Sequence, residues 1–99
     1  MSKMTQRYRQ TTYSDLYTIE YRPQTDGTFK LHCTEHPYNS YSTAVTDCHL
    51  YSNNEICVSS SYRVNSLEKA KAIATSFMDG YSQYVRSGVF PNGAKKVNV

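Results

Sequence analysis

The residues Cys48-His49-Leu50-Tyr51-Ser52-Asn53-Asn54-Glu55-Ile56-Cys57-Val58 bring a histidine, a short polar turn and a cysteine between two β-branched residues into one short stretch. A thiol presented at the end of a turn can act as a nucleophile. With a pKa near its ordinary value of about 8.5 it is only a few per cent thiolate at pH 7, yet already reactive enough to attack a carbonyl. The chemistry this suggests is acyl transfer through a thioester on Cys57. The same residue types also suit packing: a cysteine between Ile56 and Val58 serves as a small buried hydrophobe, and His49 as a turn or strand-end histidine. Cys33 and Cys48 read as packing residues.

Elements must position such a thiol, and composition limits what they can be. Ninety-nine residues allow one small domain with one core. The hydrophobic share is 38%, but ten of those residues are tyrosine, which can bury a ring and still place its hydroxyl on a partner. The net charge of +3 is mild, and Lys3, Arg7, Lys95 and Lys96 lie near the termini, so little basic charge is left for a folded nucleic-acid-binding face. No apolar run is long enough to span a bilayer, and no signal-peptide core follows Met1. A cytoplasmic protein with free thiols is therefore expected. His32, Cys33, His36, Cys48, His49 and Cys57 could ligate zinc, but no Cys-x-x-Cys pair nucleates a site; neither metal nor cofactor is expected.

Residues 1–12 are polar and unpatterned and read as a flexible arm. Residues 15–22 alternate, with Tyr17, Ile19 and Tyr21 on one face. Asp26-Gly27 supplies a hairpin turn, and residues 28–34 alternate again with Phe29, Leu31 and Cys33 inward. His36-Pro37 and Asn39-Ser40 mark a loop. Residues 43–50 suit a third strand, Ser52-Asn53-Asn54 a turn, and 55–59 a short extended piece around Cys57. The period then changes. Leu67, Ala70, Ile73, Ala74, Phe77, Tyr81, Tyr84 and Val85 recur at helical spacing, with Asn65 and Glu68 as a capping-box variant. Gly80 lies inside this helix at a cost of about 1 kcal/mol relative to alanine and is a candidate break into two helical pieces, and Gly88 would end it. The expected architecture is α+β: an antiparallel β-meander of three to four strands, then a C-terminal helix packed on one face. The domain spans 13–93, with a polar tail at 94–99.

This order of elements, with His49, the turn and Ile56-Cys57-Val58, resembles the ubiquitin-conjugating enzymes, and its spacing is closer to their compact bacterial relatives. Tyr81-Ser82-Gln83-Tyr84-Val85-Arg86-Ser87-Gly88-Val89-Phe90-Pro91-Asn92-Gly93 is similar to the aromatic-x-x-aromatic, Gly, aromatic-Pro-x-Gly ending of those bacterial proteins. The chain departs from the family in having no apolar stripe for an opening helix. Its proline-rich segment is reduced to His36-Pro37, and the family's His-Pro-Asn triplet reads His49-Leu50-Tyr51. The resemblance implies a carrier for a ubiquitin-like protein, loaded from an activating enzyme onto Cys57 and passed to an amine. His49 would organise the turn, and Asn53 or Asn54, with Asn54 the candidate here, would take the place of the oxyanion-stabilising asparagine.

Two other classes fit the residues. One is a non-catalytic protein-interaction module of similar fold, binding an unknown protein partner. The other is a nucleic-acid module stacking bases on Tyr17, Tyr21 and His32 beside Arg22 and Lys30, which neither charge nor motif favours.

Overall fold

The computed structural model describes residues 2–91, so the expected tail at 94–99, with Lys95 and Lys96, and the Asn92-Gly93 pair lie outside the described residues. Strands β1 (Met4–Arg9), β2 (Leu16–Pro23) and β3 (Phe29–Glu35) form an antiparallel meander in the order β1-β2-β3. A short helix α1 (Val45–Cys48) and a 21-residue helix α2 (Leu67–Ser87) follow. The α+β meander with its covering C-terminal helix is the architecture that the residue periodicities imply.

Alternation decides which face α2 covers. Tyr17, Ile19 and Tyr21 of β2 and Leu31 and Cys33 of β3 are buried, and Phe29 packs half-buried against them. The intervening Leu16, Glu20 and Arg22 point to the opposite face. Between these strands Gly27 takes φ 85° and donates to the Gln24 carbonyl, while the Asp26 carboxylate accepts from the Thr28 N–H.

The amino-terminal arm is corrected: Met4–Arg9 is a strand, with Met4 opposite Tyr21 and Tyr8 opposite Tyr17. It reads as unpatterned because it is an edge strand that half-buries only Met4 and Tyr8; Arg7 and Arg9 on the other face also discourage pairing with a further strand. Gln10 then turns inward, donating to Asp79 on α2 (2.8 Å) and accepting from the Tyr13 N–H (2.7 Å). The third strand expected at 43–50 is corrected too. Val45–Cys48 makes one helical turn, ended by His49 at φ 61°, and only Leu50 keeps strand pairing, through a bridge to Ile56.

Helix α2 is capped by Ser66, not Asn65: the Ser66 hydroxyl accepts from the Lys69 N–H at 3.1 Å. The helix runs unbroken through Gly80, whose missing side chain makes room for Phe90. A Cβ there would stand 2.4 Å from the Phe90 ring. Gly88 ends the helix at φ 78°, its N–H donating to the Tyr84 carbonyl.

Four tyrosines, Tyr17, Tyr21, Tyr81 and Tyr84, are buried in the core, and their hydroxyls need placing. Tyr17 bonds the Ser82 hydroxyl (2.7 Å) and the Met78 carbonyl (3.1 Å), Tyr21 bonds Tyr8 (2.7 Å), and Tyr84 donates to the Ser42 carbonyl (2.8 Å). Tyr81 is the exception. It is 2% exposed, and its hydroxyl meets no hydrogen-bond partner among the described residues.

Candidate functional site

Cys57 stands at the end of a small ribbon formed by residues 49–57. Leu50 bridges Ile56, flanked by Tyr51 N–H to the Glu55 carbonyl and Cys57 N–H to the His49 carbonyl, both at 2.9 Å. The turn closes with Asn54 N–H on the Tyr51 carbonyl and with Asn54 at φ 72°, a left-handed geometry that asparagine tolerates. The ribbon docks on the free edge of β3: Ile56 N–H donates to Leu31 (2.8 Å), Cys33 N–H donates to Asn54 (2.7 Å), and Glu55 bridges His32. Residues 54–56 thus act as a rudimentary fourth strand.

This register fixes the environment of the sulfur. Leu50 and Ile56 are buried in the core, so Cys57 turns the other way and is half-buried. Cys33 and Cys48 are buried, Cys48 on the wall of the cavity beside the ribbon. Burial pushes the Cys33 thiol up to about 12, a hydrogen bond to the Glu35 carbonyl only partly opposing it, while the Cys48 thiol sits against the Leu50 carbonyl. With Leu50 opposite Ile56, Tyr51 is the diagonal cross-strand neighbour of Cys57, at a separation an aromatic side chain can bridge. Hydrogen bonding to Cys57, then the charge of its thiolate, then burial, raise the Tyr51 phenol above the ordinary tyrosine range.

The other expected site residues are placed differently. His49 joins Cys57 through its backbone carbonyl, as a turn organiser would, and its ring packs on Phe90 with centroids 4.3 Å apart. Asn54 is tied to β3 through its own carbonyl and lines a neighbouring cavity. Asn53 accepts from the Glu55 N–H and so shapes the turn. Tyr51 is the residue that sequence reasoning passed over. Its only signal was the pairing register, which is invisible until Leu50 is known to face Ile56.

The cavity beside the ribbon holds about 530 Å³, between the loop at His36 to Asn39, the ribbon and Tyr81 of α2. Tyr51 and Asn54 lie on its wall and Cys57 does not. Among the described residues no three His, Cys, Asp or Glu side chains gather as a metal-binding group, and no helix is long and apolar enough to cross a membrane. The base-stacking arrangement is overturned: Tyr17 and Tyr21 lie beneath α2 at 0% and 1% exposure, on the opposite face of the sheet from His32. Comparison with known protein families, curated proteins and solved structures finds no match to this chain.

Proposed function

We propose that the protein carries a ubiquitin-like protein as a thioester on Cys57 and passes it to an amine. The observation that supports this best is the difference among its thiols: Cys33 and Cys48 are buried, Cys48 on the wall of the adjoining cavity, while Cys57 is half-buried on an ordered ribbon with Tyr51 as its diagonal neighbour. In this chemistry the Cys57 thiolate attacks the carbonyl of the activating enzyme's thioester. A new S–C bond forms and the enzyme's sulfur leaves as thiolate. An amine then attacks the Cys57 thioester, an amide forms and Cys57 is released. Each tetrahedral intermediate needs a hydrogen-bond donor at its oxyanion, and losing one typically costs about 10²–10³ in rate. Tyr51, the diagonal neighbour of Cys57 across the ribbon, is the hydroxyl donor that would serve, and His49 holds Cys57 through its carbonyl.

The test is to incubate the protein with ATP, activating enzymes and candidate ubiquitin-like proteins. A mass increase that is cleaved by thiols and absent from Cys57→Ala supports the carrier. Complete loading failure across the panel, with Cys57 shown to be alkylated freely, refutes it.

A second reading is a non-catalytic interaction module. It is favoured by the placement of one expected helper, Asn54, on the wall of a cavity that Cys57 does not line.

A further inference from the structure

We propose that the cavity beside the ribbon is a binding site for a small uncharged ligand that carries a planar ring and offers a hydrogen-bond acceptor to Tyr81. The site is separate from the thiol, since Cys57 is not on its wall. The inference begins with Tyr81. The other fully buried tyrosines, Tyr17, Tyr21 and Tyr84, each place their hydroxyl on a protein partner. Tyr81 is equally buried, lines the cavity, and has none among the described residues. Nor is its ring free to swing toward one. Phe77 at 5.2 Å, the His36 ring edge-on at 5.0 Å and Tyr17 edge-on at 6.5 Å hold it. Among the described residues the one enclosed side-chain N or O atom without a partner is His32 Nδ1, so solvent reaches the Tyr81 hydroxyl, and a ligand acceptor can take the place of that water. A fixed donor facing a cavity is the arrangement a bound acceptor completes.

The walls define the rest of the ligand. The volume of about 530 Å³ falls within the range of small-molecule sites. Among the described residues no Asp, Glu, Lys or Arg lines it, so a charged ligand would lose its hydration with no counter-charge from them to replace it. The rings of His36, Tyr38 and Tyr51, with Pro37 and Leu50, offer flat apolar surface suited to an aromatic or heteroaromatic ring. Tyr38 stands 85% exposed at the mouth, a large ring left in water that a ligand would cover.

Benzamide is a suitable probe, because it is neutral and planar and has a carbonyl acceptor; benzoate is its charged counterpart. Both would be titrated into the full chain and followed by two-dimensional NMR. Saturable benzamide shifts at Leu50, Tyr51 and Tyr81 are expected, with benzoate at least about tenfold weaker. Tyr81→Phe keeps the ring and removes the donor, and should weaken benzamide by about tenfold. Thr43→Trp places bulk on the cavity wall at an exposed position and should abolish binding without disturbing the core, which keeps the result decidable should Tyr81→Phe unfold. Shifts that never localise to the cavity, equal binding of benzoate, or affinity unchanged in a folded Tyr81→Phe would each overturn the proposal. None of these outcomes bears on thioester formation at Cys57.

Discussion

Cys57 faces outward because its neighbour takes the inward position. Ile56 is drawn into the core against Leu31 and Leu50, and strand alternation then turns residue 57 away. Burial consequently separates the thiols. With Cys33 raised to about 12 from its ordinary 9.0, its thiolate fraction at neutral pH falls by about three orders of magnitude. Iodoacetamide followed by peptide mass mapping should therefore label Cys57 first, with Cys33 and Cys48 labelled at comparable rates only after denaturation; equal protection of all three in the folded protein would remove the presented thiol. The neighbouring Tyr51 makes a second prediction. Because the hydrogen bond to Cys57 and its negative charge raise the Tyr51 phenol, Cys57→Ala should lower the pH at which Tyr51 ionises, read from its ring carbons by NMR. An unchanged Tyr51 titration would mean the two side chains do not meet in solution. The candidate thiol was legible from Ile56-Cys57-Val58 and the polar turn before it. Tyr51 was not, since a tyrosine in a tyrosine-rich chain carries no signal until the register makes it a diagonal neighbour.

At the scale of elements, the sequence speaks clearly where burial is one-sided and deep. Tyr17, Ile19 and Tyr21, then Leu31 and Cys33, then the stripe from Ala70 to Tyr84 are periodic because each faces the same core. β1 was hidden because an edge strand buries only parts of Met4 and Tyr8, and α1 because Val45 and Thr46 have strand propensity that local context overrides. Gly80 was misjudged for a related reason: a glycine in a helix suggests a break unless another ring occupies the space it leaves. That arrangement can be tested by a double-mutant cycle. In a Phe90→Ala background, Gly80→Ala should stabilise α2 by about 1 kcal/mol, the helix-propensity gain. With Phe90 present, the new Cβ would meet its ring at 2.4 Å and displace it, so most of that gain should vanish. Urea melts of the four proteins read the coupling, and additive effects would show that Phe90 does not rest on Gly80. Ser66→Ala should cost about 1 kcal/mol by the same melts, and Asn65→Ala much less, because the cap is the Ser66 hydroxyl.

Across the whole molecule, titrating groups tie stability to pH in two steps of the same sign. His32 lies on the sheet face away from α2 with its Nδ1 enclosed and unpartnered. Burial lowers its pKa first, and the positive charges of Arg22 and Lys30 add to this against the opposing pull of Glu55 and Glu20. The unfolded chain therefore takes up a proton at His32 near pH 6.5, where the folded one does not. Stability must fall as pH drops through the ordinary histidine range toward the depressed folded value. The carboxylates of Asp15, Glu20 and Asp26 are also held below their ordinary range, by Arg86, Arg22 and Thr28 respectively. Their contribution is present above the ordinary carboxylate range and is lost as pH falls through their folded values. Asp15 matters most among them for the fold as a whole, because both its oxygens accept from Arg86 at 2.7 and 2.9 Å and so join the end of α2 to the start of β2. Thermal melts from about pH 8 to about pH 3 should show an upper decline centred below the ordinary histidine pKa and a lower one in the carboxylate range. His32→Leu should flatten the upper decline and leave the lower, while Asp15→Asn should do the reverse. An upper decline that survives His32→Leu would place the titrating group elsewhere.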